Sequence, residues 1–169
     1  MAITASDIDQ RLSGGAANAD PNASLGGIIS STAITTNVKN NLWDDVNSSE
    51  ASAGDIEYRG IYARNGHATL AWQDVVAWID SLTTSASTEF DIALPVEGVD
   101  TTMATIANES TAPSSVTFSR PTSKGTGLAV GTLPAAGGRR GLWLRRTVTA
   151  GAGAVADSGS IRFEGDSAP

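Results

Sequence analysis

The chain has 169 residues, enough for one ordinary domain with an appendage and short for two. Lys and Arg number 11 against 18 Asp and Glu, a net charge of −7. An acidic surface lacks the basic stripe that displaces counterions from phosphate and is repelled by anionic lipid, so nucleic-acid and membrane partners are not expected. With no cysteine, disulfides and thiolate metal sites are excluded.

Only 17% of residues are charged, against about a quarter in typical globular proteins. Ala, Ser, Thr and 18 glycines take their place, which favours short strands joined by tight turns over long salt-bridged helices. The first ten residues carry neither a basic n-region nor an apolar run. No apolar stretch approaches the ~18 residues that cross a bilayer. These features predict a soluble protein made in the cytoplasm.

Residues 1–55 differ in texture from the rest. The stretch Arg11-Leu-Ser-Gly-Gly-Ala-Ala-Asn-Ala-Asp-Pro-Asn-Ala-Ser-Leu-Gly-Gly27 has almost no bulky apolar side chain with which to offset its ordering entropy. It is expected to be an extended N-terminal arm that takes its order from a surface, either its own domain or, by preference, neighbouring subunits. Within it, Ile28-Ile29 and residues 33–38 suggest short strands, and Leu42-Trp43 an anchor. Residues 44–55 read as a polar turn or a single helical turn.

From Ile56 onward the pattern is strand and turn. Ile56, Tyr58, Gly60 and Tyr62 recur at spacing two, the period of a half-buried strand, and Asn65-Gly66 marks a turn. Leu70 and Trp72 alternate before the apolar run Val75-Val76-Ala77-Trp78-Ile79. The change of phase at Gln73-Asp74 suggests a β-bulge; a helix over residues 70–82 is the competing reading. Further alternations occur at Phe90/Ile92/Leu94, Val116/Phe118, Leu128/Val130 and Ile161/Phe163. In residues 142–148, Leu142, Leu144, Arg146 and Val148 share one face, and Trp143, Arg145 and Thr147 the other. About seven short strands at turn-punctuated intervals predict an all-β, antiparallel two-sheet β-sandwich over residues 56–169.

Catalytic chemistry has few footholds. The single histidine, His67, follows a turn, where a solvated or locally hydrogen-bonded role is the ordinary one, and neither a nucleophile elbow nor a phosphate loop is present. Asp44-Asp45 and the Glu89/Asp91 pair lack calcium-loop spacing, and a glycosidase cleft needs more aromatics than this chain carries. Four arginines, Arg139, Arg140, Arg145 and Arg146, fall within eight positions. They suit protection of strand edges, an ion pair with the acidic arm of a neighbour, or a phosphate contact. Of the four tryptophans, Trp72, Trp78 and Trp143 lie in strand patterns and belong to a core. Trp43 lies in the arm and suits a partner's pocket. No enzyme activity, cofactor or metal is expected.

The arm resembles the opening of small tailed-bacteriophage virion proteins encoded among head genes. So do Glu57-Tyr-Arg-Gly-Ile-Tyr-Ala-Arg-Asn65 and Gly141-Leu-Trp-Leu-Arg-Arg-Thr-Val-Thr-Ala-Gly151. The strand pattern resembles the immunoglobulin-like sandwiches that decorate phage surfaces; a jelly-roll-like order is the other form. The resemblance implies a capsid decoration (cement) protein on the virion surface. Its partners would be the major capsid protein and copies of itself, as a trimer. On that reading the contact residues are Leu12, Leu25, Ile28, Ile29, Leu42, Trp43, Arg139 and Arg140, and deleting residues 1–50 leaves a folded domain. A tail or fibre component and a carbohydrate-binding module are the alternatives.

Overall fold

The structure is a computed structural model that describes residues 2–153 and 157–167. The fold is organised around β8 (Arg139–Val148), which runs through the middle of a four-stranded sheet. With β1 (Ile8–Leu12), β3 (Asp55–Asn65) and β5 (Thr88–Ala93) the order is β1-β3-β8-β5, every neighbour antiparallel. A second sheet is ordered β7-β4-β9, from β7 (Leu128–Leu133), β4 (Trp72–Ser81) and β9 (Ser160–Ser167). Ile61, Phe90, Ile92, Leu142 and Leu144 of the first sheet meet Trp72, Val75, Ala77, Ile79, Val130 and Leu133 of the second in one core. The chain is therefore an all-β antiparallel sandwich, as its alternating pattern predicts.

The outer face of the four-stranded sheet is also covered. A short ribbon, β2 (Gly26–Gly27) paired with β6 (Met103–Thr105), lies over Tyr62 and Trp143. The Tyr62 hydroxyl donates to the Gly27 carbonyl at 2.6 Å and accepts from the Met103 N–H at 2.8 Å. Gly26 is required there: its φ is +87°, and an added Cβ would stand 2.0 Å from the Ala104 carbonyl oxygen.

The phase shift at Gln73-Asp74 is a β-bulge. Pairing of β4 with β9 slips between Gln73 and Val76, and Asp74 takes φ +49°. Residues 72–81 are strand, not helix. Val116 and Phe118, by contrast, lie in a loop that touches the sheet through one bridge, Ile92 with Ser119. The polar run 44–55 contains α1 (Ser48–Ala53). Asn47 Oδ1 accepts from the Ser49 and Glu50 N–H groups, and Glu50 Oε2 accepts in turn from the Asn47 N–H.

The N-terminal arm expected over residues 1–55 requires correction. Residues 8–12 are an edge strand of the main sheet, in register Leu12 with Ile61. Residues 30–34 line the other side of β1, with the Ser30 N–H on the Leu12 carbonyl at 2.8 Å and the Ile34 N–H on that of Gln10 at 2.8 Å. Beyond the end of β1, the exposed edge of β3 is met by the Ser24 carbonyl on the Gly60 N–H and the Glu109 carbonyl on the Tyr58 N–H, both at 2.7 Å. Small side chains bury little, but their backbone groups need partners all the same. The domain's own sheet edge supplies them.

Candidate functional site

A buried charge cluster lies at the end of the sandwich where β3 begins and β8 ends. In β3 the side chains of Glu57, Arg59, Ile61 and Ala63 face the second sheet, and Arg146 faces it from β8 opposite Glu57. Glu57 is 2% exposed, Arg59 0% and Arg146 6%. The Arg146 guanidinium binds the Glu57 carboxylate and also donates to the Asp44 carbonyl at 2.6 Å and to Asp44 Oδ1 at 3.1 Å. Arg59 Nη2 donates to Glu109 Oε2 at 2.6 Å and Asn22 Oδ1 at 3.0 Å. The ring of Trp43 completes the cluster, with each guanidinium carbon 5.1 Å from its centroid. Burial pushes the Glu57 carboxyl up, and the two guanidinium groups pull it back toward the charged form. Both oxygens of Glu57, Oε2 of Glu109 and Oδ1 of Asp44 each face an arginine, so the cluster fastens residues 22, 43, 44 and 109 to the sheet.

A second cluster sits on the outer face. Asp91 accepts from Arg145 Nη2 at 2.6 Å and from Arg120 Nε at 2.9 Å, while Arg120 also reaches Glu89 at 2.8 Å. Arg145 lies 5.0 Å above the Phe118 ring. Burial raises the Asp91 carboxyl, but the hydrogen bonds from Arg145 and Arg120 outweigh it and hold the group below its ordinary range.

The contact residues inferred from sequence divide. Leu12 and Leu42 are buried in the domain's own core, at 2% and 8% exposure, so the surface does not present them. Trp43 fills a pocket of its own chain between Arg59 and Arg146, and Asp44 of the same chain is the acidic partner of Arg146. Leu25 is half-buried, and Ile29 is half-buried against Tyr62, Met103 and Trp143. Ile28 remains open at 55%. Arg139 is tied by its backbone to Asp100, and Arg140 Nη1 reaches the Val130 carbonyl at 3.4 Å; both side chains are half-buried, and burial lowers the Arg140 pKa. Trp72, Trp78 and Trp143 are buried, at 5%, 6% and 1%.

The Glu57–Arg59 part of the cluster was not legible as a site. Ile56, Tyr58, Gly60 and Tyr62 look like the buried face of the strand, yet the inter-sheet face is the alternate set, headed by two charged residues. Because β3 is covered on both sides, neither phase was polar enough to mark the outside.

His67 is structural: its Nδ1 accepts from the Thr69 and Leu70 N–H groups, at 3.2 and 3.0 Å, and holds the loop after β3. The larger groove, about 590 Å³, runs between the N-terminal segment and β9, lined by Ile3, Ile8, Gln10, Trp72, Phe163 and Asp166 among others. A smaller one of about 230 Å³ lies at the β4–β5 turn beside Glu89 and Arg120. Among the described residues, no group of three or more His, Asp or Glu is placed to hold a metal ion. No helix there is long and apolar enough to cross a membrane. Comparison with protein-family models, curated proteins and solved structures finds no match for this chain.

Proposed function

We propose that this chain is a virion structural protein of the head-decoration type, which stabilises a capsid by binding across neighbouring subunits. The observation that carries the reading is a firmly held loop that turns apolar side chains outward. Ile28 and Val38 are 55% and 51% exposed and flank, one on each side, the stretch that the Ser30 and Ile34 N–H groups fasten to the edge of β1. Side chains on a pre-ordered support lose little entropy on docking, which is where an interface gains affinity. The resemblance of residues 11–27, 57–65 and 141–151 to phage head-gene proteins supplies the partner: the major capsid protein. An acidic surface suits docking on a basic one. In this form the contact is made by loops fixed on the sandwich, not by a free arm.

The test is co-sedimentation of the full chain with purified heads of the phage that encodes it. Wild type is expected to travel with the heads, and Ile28→Asp with Val38→Asp to bind about ten-fold more weakly at an unchanged melting temperature. Wild type that stays in the supernatant, or that travels with purified tails and not with heads, overturns the reading.

A further inference from the structure

The four edges of the two main sheets are not equally protected. Beside β1 lie residues 30–34, and β5 is bridged by Ser119. The strand β7 is broken at Gly131, with φ +95° and slips in its pairing with β4, a distortion that discourages a further strand. Among the described residues, the edge of β9 that faces away from β4 has no such device. Its eight residues run Ser160-Ile-Arg-Phe-Glu-Gly-Asp-Ser167. Among the described residues, no backbone group of β9 bonds to any segment besides β4.

The side chains of β9 carry a pattern that is complementary to itself. Ile161 and Phe163 turn to the core, while Arg162 and Glu164 turn outward on either side of Phe163. Placing a second copy of β9 antiparallel, with the two-fold axis at Phe163, sets Arg162 opposite the neighbour's Glu164 and Glu164 opposite its Arg162. Ile161 then faces Gly165, and Phe163 faces its own counterpart. Both charged groups are available: side-chain exposure is 56% for Arg162 and 44% for Glu164. The internal pairs of Arg162, to Asp80 at 3.5 Å and Glu164 at 3.9 Å, are loose. Among the described residues, Lys124 occupies Oε1 of Glu164 at 2.8 Å and Oε2 has only the distant Arg162. An isologous contact satisfies every such pair twice.

We infer that β9 is a self-association edge, through which two copies of this chain join their three-stranded sheets into one continuous six-stranded sheet about a two-fold axis. The inference rests on the edge and its charge order and is independent of the virion reading.

The decisive experiment uses four full-length proteins in sedimentation velocity: wild type, Arg162→Glu, Glu164→Arg, and the double exchange. Wild type should form dimers. Each single variant places like charges in both symmetry-related pairs and should self-associate at least about ten-fold more weakly. The double exchange restores the pairing and should dimerise. So should an equimolar mixture of the two single variants, whose edges are complementary to each other although neither is complementary to itself. A monomeric or trimeric wild type, or a mixture of the single variants that stays monomeric, overturns the inference.

Discussion

Arginine carries the tertiary structure of this protein to an unusual degree for a chain with so few charges. Arg59 and Arg146 grip Trp43 and the carboxylates around it, and Arg120 and Arg145 close on Asp91 from two segments distant in sequence. A planar guanidinium makes several directed bonds from one side chain, which suits the joining of loops to a sheet. Asp91 shows the consequence for pH. Its carboxyl is held below the ordinary value in the folded state. The stability it contributes is therefore fully present above the ordinary Asp pKa and is lost as pH falls through the folded value. Asp91→Asn should cost about 2 kcal/mol at neutral pH, because one buried acceptor charge leaves two arginines short of a partner. Denaturant melts of the two proteins should converge as the solution is acidified past the ordinary Asp range and through the lowered folded-state pKa. A gap that stays constant with pH would mean that Asp91 acts by shape alone.

At the scale of the element, the small ribbon β2–β6 shows how much depends on one glycine. Gly26 needs a left-handed backbone and almost touches the Ala104 carbonyl, so Gly26→Ala pushes the ribbon away from the sheet. Tyr62 then loses the Gly27 carbonyl, and Trp143, now 1% exposed, meets water. A cost of roughly 2–3 kcal/mol is expected, with a red shift of tryptophan emission in the native state. A variant with unaltered emission and stability would show that the ribbon is only an ornament. Neither strand was legible in the sequence, and the reason is physical. Two glycines and the stretch Met103-Ala-Thr105 carry no period; they pair because Tyr62 bonds to both strands. The long strands were legible because alternation survives when one or both faces are buried, and even the bulge at Asp74 left its mark as a slip in phase. The strand read into Val116 and Phe118 was a loop, since the two residues only rest on Trp143 and its neighbours.

The molecule as a whole is more unified than its composition suggests. The first fifty-odd residues hold little apolar area, and counting side chains makes them an arm that borrows order from other molecules. Their contribution is of another kind: a strand for the main sheet, the Ser24 carbonyl for the bare edge of β3, and Asn22, Trp43 and Asp44 for the arginine cluster. Removing residues 1–50 therefore strips Leu12 and Leu42 from the core, leaves β3 as an open edge, and exposes Arg59 and Arg146 beside Glu57. Each loss alone costs about 1–3 kcal/mol, and together they match the whole stability of an ordinary domain. The truncated chain is expected to lose its near-ultraviolet circular dichroism and its cooperative thermal transition. A cooperative melt near the wild-type midpoint would restore the segment to the status of a dispensable arm. It would also return Trp43 to the set of side chains free to enter a partner.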